Sequence, residues 1–79
     1  MKFYVCTDEQ DSDFDCSFTL NEAKQIVAAN STTGKVKLLN IPITKFAMRD
    51  FLGGFGGYAK NMKVYQFNSN AKKQWISVK

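Results

Sequence analysis

The first chemical fact about this 79-residue chain is that it contains no histidine. A Ser-His or Cys-His nucleophile pair, which needs an imidazole to take the proton, therefore cannot be built from its own residues. Histidine-containing zinc sites are excluded for the same reason, and two cysteines, Cys6 and Cys16, cannot close a four-sulfur site. Carboxylate or lysine chemistry remains. Six of the seven acids fall within residues 1–23, a hydrophilic stretch that offers little burial to shift a pKa. The expectation is a non-catalytic protein without a cofactor.

Those carboxylates suggest a second chemistry. Asp11-x-Asp13-x-Asp15, with Glu22 in the twelfth position, reproduces the ligand spacing of an EF-hand calcium loop, and Phe18 supplies its apolar eighth residue. Cys16 stands where such a loop needs glycine, and residues 1–10 alternate like a strand instead of forming an incoming helix. The competing reading is a solvated acidic hairpin that keeps an edge strand from pairing with other chains. Cys6 and Cys16 are two small buried thiols or, if the flanking strands form a hairpin that brings them face to face, a disulfide.

Charge is distributed unevenly. Residues 1–23 carry six acids and one base, net −5, whereas residues 24–79 carry ten bases and one acid, net +9. Two electrostatically distinct sides are expected, the basic one suited to nucleic acid or to an acidic protein. Its richest segment is the C-terminal pair of alternating runs. Met62, Val64, Ile76 and Val78 fall on one face, and Lys63, Tyr65, Phe67, Lys73 and Trp75 on the other. The first face reads as core. The second suits a single-stranded nucleic acid platform, rings stacking on bases and lysines meeting phosphates, or a protein interface with aromatic anchors. If a helix covers that second face, its rings are core instead. Phe55 and Tyr58, set among Gly53, Gly54, Gly56 and Gly57, read either as part of a helix stop and mobile loop or as a flexible contact loop. The formal G-x-G-x-x-A there follows a predicted helix and precedes a strand, the wrong context for dinucleotide binding.

The elements that must position these residues follow from periodicity. Met1–Thr7 and Asp13–Phe18 alternate as strands, with Phe14, Cys16 and Phe18 on one side of the second. Thr19-Leu20-Asn21-Glu22 is a capping box opening an amphipathic helix that ends in the polar run 30–34. Lys35–Ile41 is a strand ended by Pro42. Thr44 caps a short helix, Lys45–Leu52, expected to bury Ala47, Met48, Phe51 and Leu52. Met62–Phe67 and Lys73–Val78 close the chain as a hairpin. The order β-β-α-β-α-β-β predicts a single α+β domain over 1–79, a largely antiparallel sheet with one or two helices packed on one face. No apolar run approaches membrane-spanning length and the first ten residues lack a secretory apolar region, so a cytoplasmic setting is expected.

The N-terminal hairpin, the helix opening Thr19-Leu20-x-x-Ala23-Lys24-x-Ile26, and the closing hairpin with Lys72-Lys73-Gln74-Trp75 resemble small phage anti-CRISPR proteins, the compact basic inhibitors of type I surveillance complexes. About half of the chain shares this look, while Ile41 to Tyr58 departs from it. The resemblance implies a stoichiometric inhibitor in the host cytoplasm. Its basic side, represented by Lys24, Lys35, Lys37, Lys60, Lys63, Lys72 and Lys73, would meet a host protein or nucleoprotein complex, or hold nucleic acid against it.

Overall fold

Thr19 and Thr44 each end an extended stretch and open a helix, because a threonine hydroxyl can take a backbone N–H that the first helical turn leaves without a partner. In the computed structural model, which describes residues 1–54 and 56–78, both caps form. Thr19 Oγ1 accepts from the Glu22 N–H at 3.3 Å and Thr44 Oγ1 from the Ala47 N–H at 3.1 Å. The reciprocal half of the first capping box is taken by a different residue: the Thr19 N–H donates to Ser17 Oγ at 3.1 Å.

The elements run β1 (Lys2–Thr7), β2 (Asp13–Ser17), α1 (Leu20–Asn30), β3 (Lys35–Asn40), α2 (Lys45–Leu52), β4 (Lys60–Phe67) and β5 (Trp75–Ser77). Among the described residues the five strands form one sheet in the order β2-β1-β3-β4-β5, every neighbouring pair antiparallel. The chain is thus the α+β arrangement that the periodicity predicts. Gly54 ends α2 as a glycine should: its φ of +84° is left-handed, and its N–H donates to the Phe51 carbonyl at 3.0 Å.

The pleat decides what each helix meets. Tyr4 and Cys6 point to one face of β1, Phe3 and Val5 to the other. Ala23 and Val27 of α1 join Cys6, Val36 and Phe67 in one core, flanked by Tyr4, Leu20, Ile26, Tyr65 and Trp75. Ala47 of α2 joins Phe3, Val5 and Ile41 in a second core on the opposite face, flanked by Leu39, Phe51 and Ala59. One helix therefore packs on each face, where the periodicity predicts the helices on one, because Cys6 and Val36 offer α1 one side of the pleat and Phe3 and Val5 offer α2 the other; the molecule measures 43 × 18 × 18 Å. Each fully buried aliphatic side chain such as Val27 or Val36 contributes roughly 1.5–3 kcal/mol relative to leaving it in water.

The connection from α1 into β3 allows no side chain at Gly34. A Cβ there would overlap the Thr7 carbonyl oxygen and stand 2.7 Å from Ser31 Oγ and 2.9 Å from Val27 Cγ1. Gly34→Ala is expected to lower stability by roughly 1–3 kcal/mol, the usual cost of overpacking. Urea denaturation checks this: the midpoint should fall while the slope stays constant.

Candidate functional site

The lysine- and aromatic-bearing side is built where α1, packed over β1, β2 and β3, borders the rings that β4 and β5 present on the same face of the sheet. Lys24 projects from α1 so that its Nζ is 5.5 Å from the centroid of the Tyr65 ring and 5.4 Å from that of Trp75. Lys63, two residues from Tyr65 along β4, sets its own Nζ 5.4 Å from the same Tyr65 centroid. Trp75 leans on Phe67 with ring centroids 4.9 Å apart. Cation–ring contacts of this kind are worth about 0.5–1 kcal/mol each at exposed sites, enough to bias the ammonium groups toward the rings but less than the rotamer entropy of a lysine.

Which face of the closing hairpin is covered comes out opposite to the simplest reading of its alternation. Phe67 is 3% exposed and belongs to the core, and Tyr65 and Trp75 are half-buried against that core beside α1. Met62, Ile76 and Val78, which read as core, are exposed. A period of two assigns residues to faces but does not say on which face a helix will settle.

The remaining candidate lysines divide by charge pairing. Lys35 and Lys37 lie on the other face of the sheet and are held by the acidic loop, Lys35 Nζ at 2.7 Å from Asp11 Oδ1 and Lys37 Nζ at 3.0 Å from Asp13 Oδ1. The expected separation into an acidic and a basic side is to that extent cancelled. Lys24, Lys60, Lys63, Lys72 and Lys73 make no ion pair among the described residues. Lys60 sits opposite Asn40 on the Lys63 side of the sheet. Lys72 and Lys73 are exposed in the β4–β5 loop, which is fixed by Asn68 N–H donating to the Gln74 carbonyl at 2.8 Å and Ser69 N–H to the Thr32 carbonyl at 2.9 Å. Tyr58 is exposed. Its loop is tied to α2 by the Gly57 N–H donating to Asp50 Oδ2 at 2.5 Å, an anchor that the sequence reading missed. Phe55 lies outside the described residues.

The candidate calcium ligands do not converge. A bulge at Phe14 lets Thr7 pair with Asp13 while Cys6 pairs with Asp15, and so turns Asp13 and Asp15 to opposite faces. Asp13 Oδ1 accepts from Thr7 Oγ1 at 3.1 Å as well as from Lys37, Asp11 is engaged by Lys35, and Asp15 Oδ1 accepts from the Cys16 N–H at 2.7 Å. Glu22 is in the first turn of α1. Among the described residues no three acidic or cysteine side chains are grouped to hold a metal ion. Two other loop carboxylates have structural tasks. Asp8 Oδ1 accepts from the Gln10 and Ser12 N–H groups, and Glu9 Oε2 accepts from Ser31 Oγ at 2.7 Å. The Ser31 hydroxyl holds the Glu9 carboxyl below its ordinary pKa, and the Lys35 ammonium does the same for Asp11, first through the hydrogen bond and then through its charge.

The two thiols take different environments. The register pairs Val5, not Cys6, with Cys16, so the sulfurs fall on opposite faces and both remain free, Cys6 buried and Cys16 exposed. Burial, reinforced by Asp15, Cys16 and Glu22, pushes the Cys6 thiol up to about 11. Phe18 and Leu52 also depart from expectation. Leu52 reads as buried and Phe18 as the last inward residue of a half-buried strand, yet they are 81% and 79% exposed, because α2 turns only Ala47 and Phe51 squarely to the sheet and because the strand ends at Ser17.

Two outcomes follow from the thiols. In the folded protein iodoacetamide should modify Cys16 alone, with Cys6 reacting only under denaturant, as intact mass will report. Because the folded Cys6 keeps its proton above the pH at which the unfolded thiol loses it, stability should decline as pH rises from about 9 to about 11. Thermal melts of wild type and Cys6→Ala across that range check this: the slope should be shallower in the variant.

Among the described residues no helix is long and apolar enough to cross a membrane. No family model matches the chain, and neither does any curated protein or solved structure.

Proposed function

We propose that this chain is a non-catalytic binding protein, an inhibitor of the anti-CRISPR kind, that meets a host protein or nucleoprotein complex in the cytoplasm through the lysine-bearing α1 side of its sheet. The observation that carries the reading is the split among the lysines. Lys35 and Lys37 are neutralised within the chain, whereas Lys24 and Lys63 flank Tyr65 without a carboxylate partner among the described residues. Lys60, Lys72 and Lys73 add positive charge that is unpaired among the described residues. Such a surface attracts an anionic partner over a distance and presents two half-buried rings as anchors on contact. Direct stacking of single-stranded nucleic acid is the weaker reading, because Phe67 is core and the Tyr65 and Trp75 rings already carry the Lys24 ammonium.

Affinity capture from the host with three immobilised forms tests this. Wild type and Lys35→Glu should retain the same partner. The charge reversal Lys63→Glu, Lys72→Glu, Lys73→Glu should lose it by tenfold or more, roughly 1.4 kcal/mol at the least. A partner that survives the triple reversal would falsify the proposal. Strong salt-sensitive quenching of Trp75 by free oligonucleotides would transfer the site to the nucleic acid reading.

A further inference from the structure

We propose that the apolar groove between β2 and α2 is the contact surface of a symmetric dimer, its occupant a second copy of this chain. The groove encloses about 390 Å3, and its walls are Phe3 and Cys16 from the sheet, Phe18 from the β2–α1 turn, and Met48 and Leu52 from α2. Phe18 precedes the α1 N-cap, where an apolar side chain ordinarily packs against the fourth helical residue. That residue is Ala23, which the sheet buries completely, and Phe18 is left exposed at the groove. Leu52, 81% exposed, faces water from the opposite wall.

The charges at the rim select the occupant. Glu22, in the first turn of α1, lines one side of the groove. Lys45 and Arg49 are exposed and stand one turn apart on α2, each three residues before a groove residue, Met48 or Leu52, and so beside it on the helix surface. None of these three charged groups has an ion-pair partner among the described residues. A uniformly anionic partner would be repelled by Glu22, and a uniformly cationic one by Lys45 and Arg49. A two-fold axis standing on the groove solves both problems, since it carries the basic rim of one copy over the acidic rim of the other and lays apolar wall on apolar wall. The patch is complementary to itself.

The groove occupies the α2 face, away from Tyr65 and Trp75, so this proposal does not rest on the proposed function. On a molecule 18 Å across, the patch is smaller than the roughly 800 Å2 per partner of a standard interface, and the dimer should be reversible and concentration-dependent.

Sedimentation equilibrium under reducing conditions, run over a concentration series, tests it. Wild type should pass from monomer to dimer mass. Leu52→Asp, folded by circular dichroism, should stay monomeric. Glu22→Arg and Arg49→Glu should each weaken association about tenfold, because the symmetry counts every substitution twice, and the two together should restore it. Alkylation of Cys16 in unaltered protein supplies a reading free of variants: its rate should fall as dimer forms. A monomer mass at every concentration, a dimer indifferent to Leu52→Asp, a double variant that does not recover, or a Cys16 rate unchanged while mass doubles would each overturn the proposal. A persistent monomer whose groove binds an apolar dye, and loses it in Leu52→Asp, would overturn it too and assign the groove to a small apolar ligand.

Discussion

Ala23 and Val27 resting on Cys6 and Val36 is the contact that organises this chain. All four are completely buried. A methyl side chain at Ala23 lets α1 approach β1 closely enough for the Cys6 thiol to donate to the Ala23 carbonyl at 3.6 Å. With the helix held there, Lys24, the next residue, is carried to the side of the helix that overlooks β4 and β5. The ammonium reaches Tyr65 and Trp75 because of where Ala23 packs. Gly34 serves the same contact from the other end, bringing the chain from α1 into β3 in a space that admits no Cβ.

Electrostatics then follows the topology. Because β1 pairs with both β2 and β3, the acidic β1–β2 loop hangs over the first residues of β3. Asp11 and Asp13 reach Lys35 and Lys37, two lysines that in the linear chain belong to the basic part. Pairing distant segments across an antiparallel sheet thus removes part of the dipole that the sequence suggests. On the α1 side Lys24, Lys60 and Lys63 are left with no ion-pair partner among the described residues. Exposed pairs like these add little to stability; their effect here is on which lysines stay available.

The sequence was most legible where one residue does one local job. Thr19, Thr44 and Gly54 mark helix boundaries by their own backbone chemistry, and the order of elements followed from them and from alternation. It was least legible where the answer depends on two elements meeting. Tyr65, Phe67 and Trp75 share a face by alternation alone, but nothing in β4 or β5 says that the core under α1 will extend to it. Cys6 and Cys16 belong to paired strands, but a one-residue offset in register separates them. The Phe14 bulge, which parts Asp13 from Asp15, has no signature in residue type. Phe18 and Leu52 fall on the inward side of periods that their elements do not sustain to the last residue. Of the candidate site, the residues could be named from the sequence; their division into paired and unpaired lysines could not.

The hydrogen bond from the Cys16 amide to the Asp15 carboxylate has a consequence for the border of the sheet. β2 is an outermost strand, and an outermost strand ordinarily offers its amides as a template on which a foreign polypeptide can crystallise in extended form. Here that amide is already occupied by an anion from the preceding residue, and the bulge at Phe14 bends the border just beyond it. Lateral pairing along β2 thereby loses one of its donors to a single carboxylate, at a position where asparagine would keep the shape but surrender the charge.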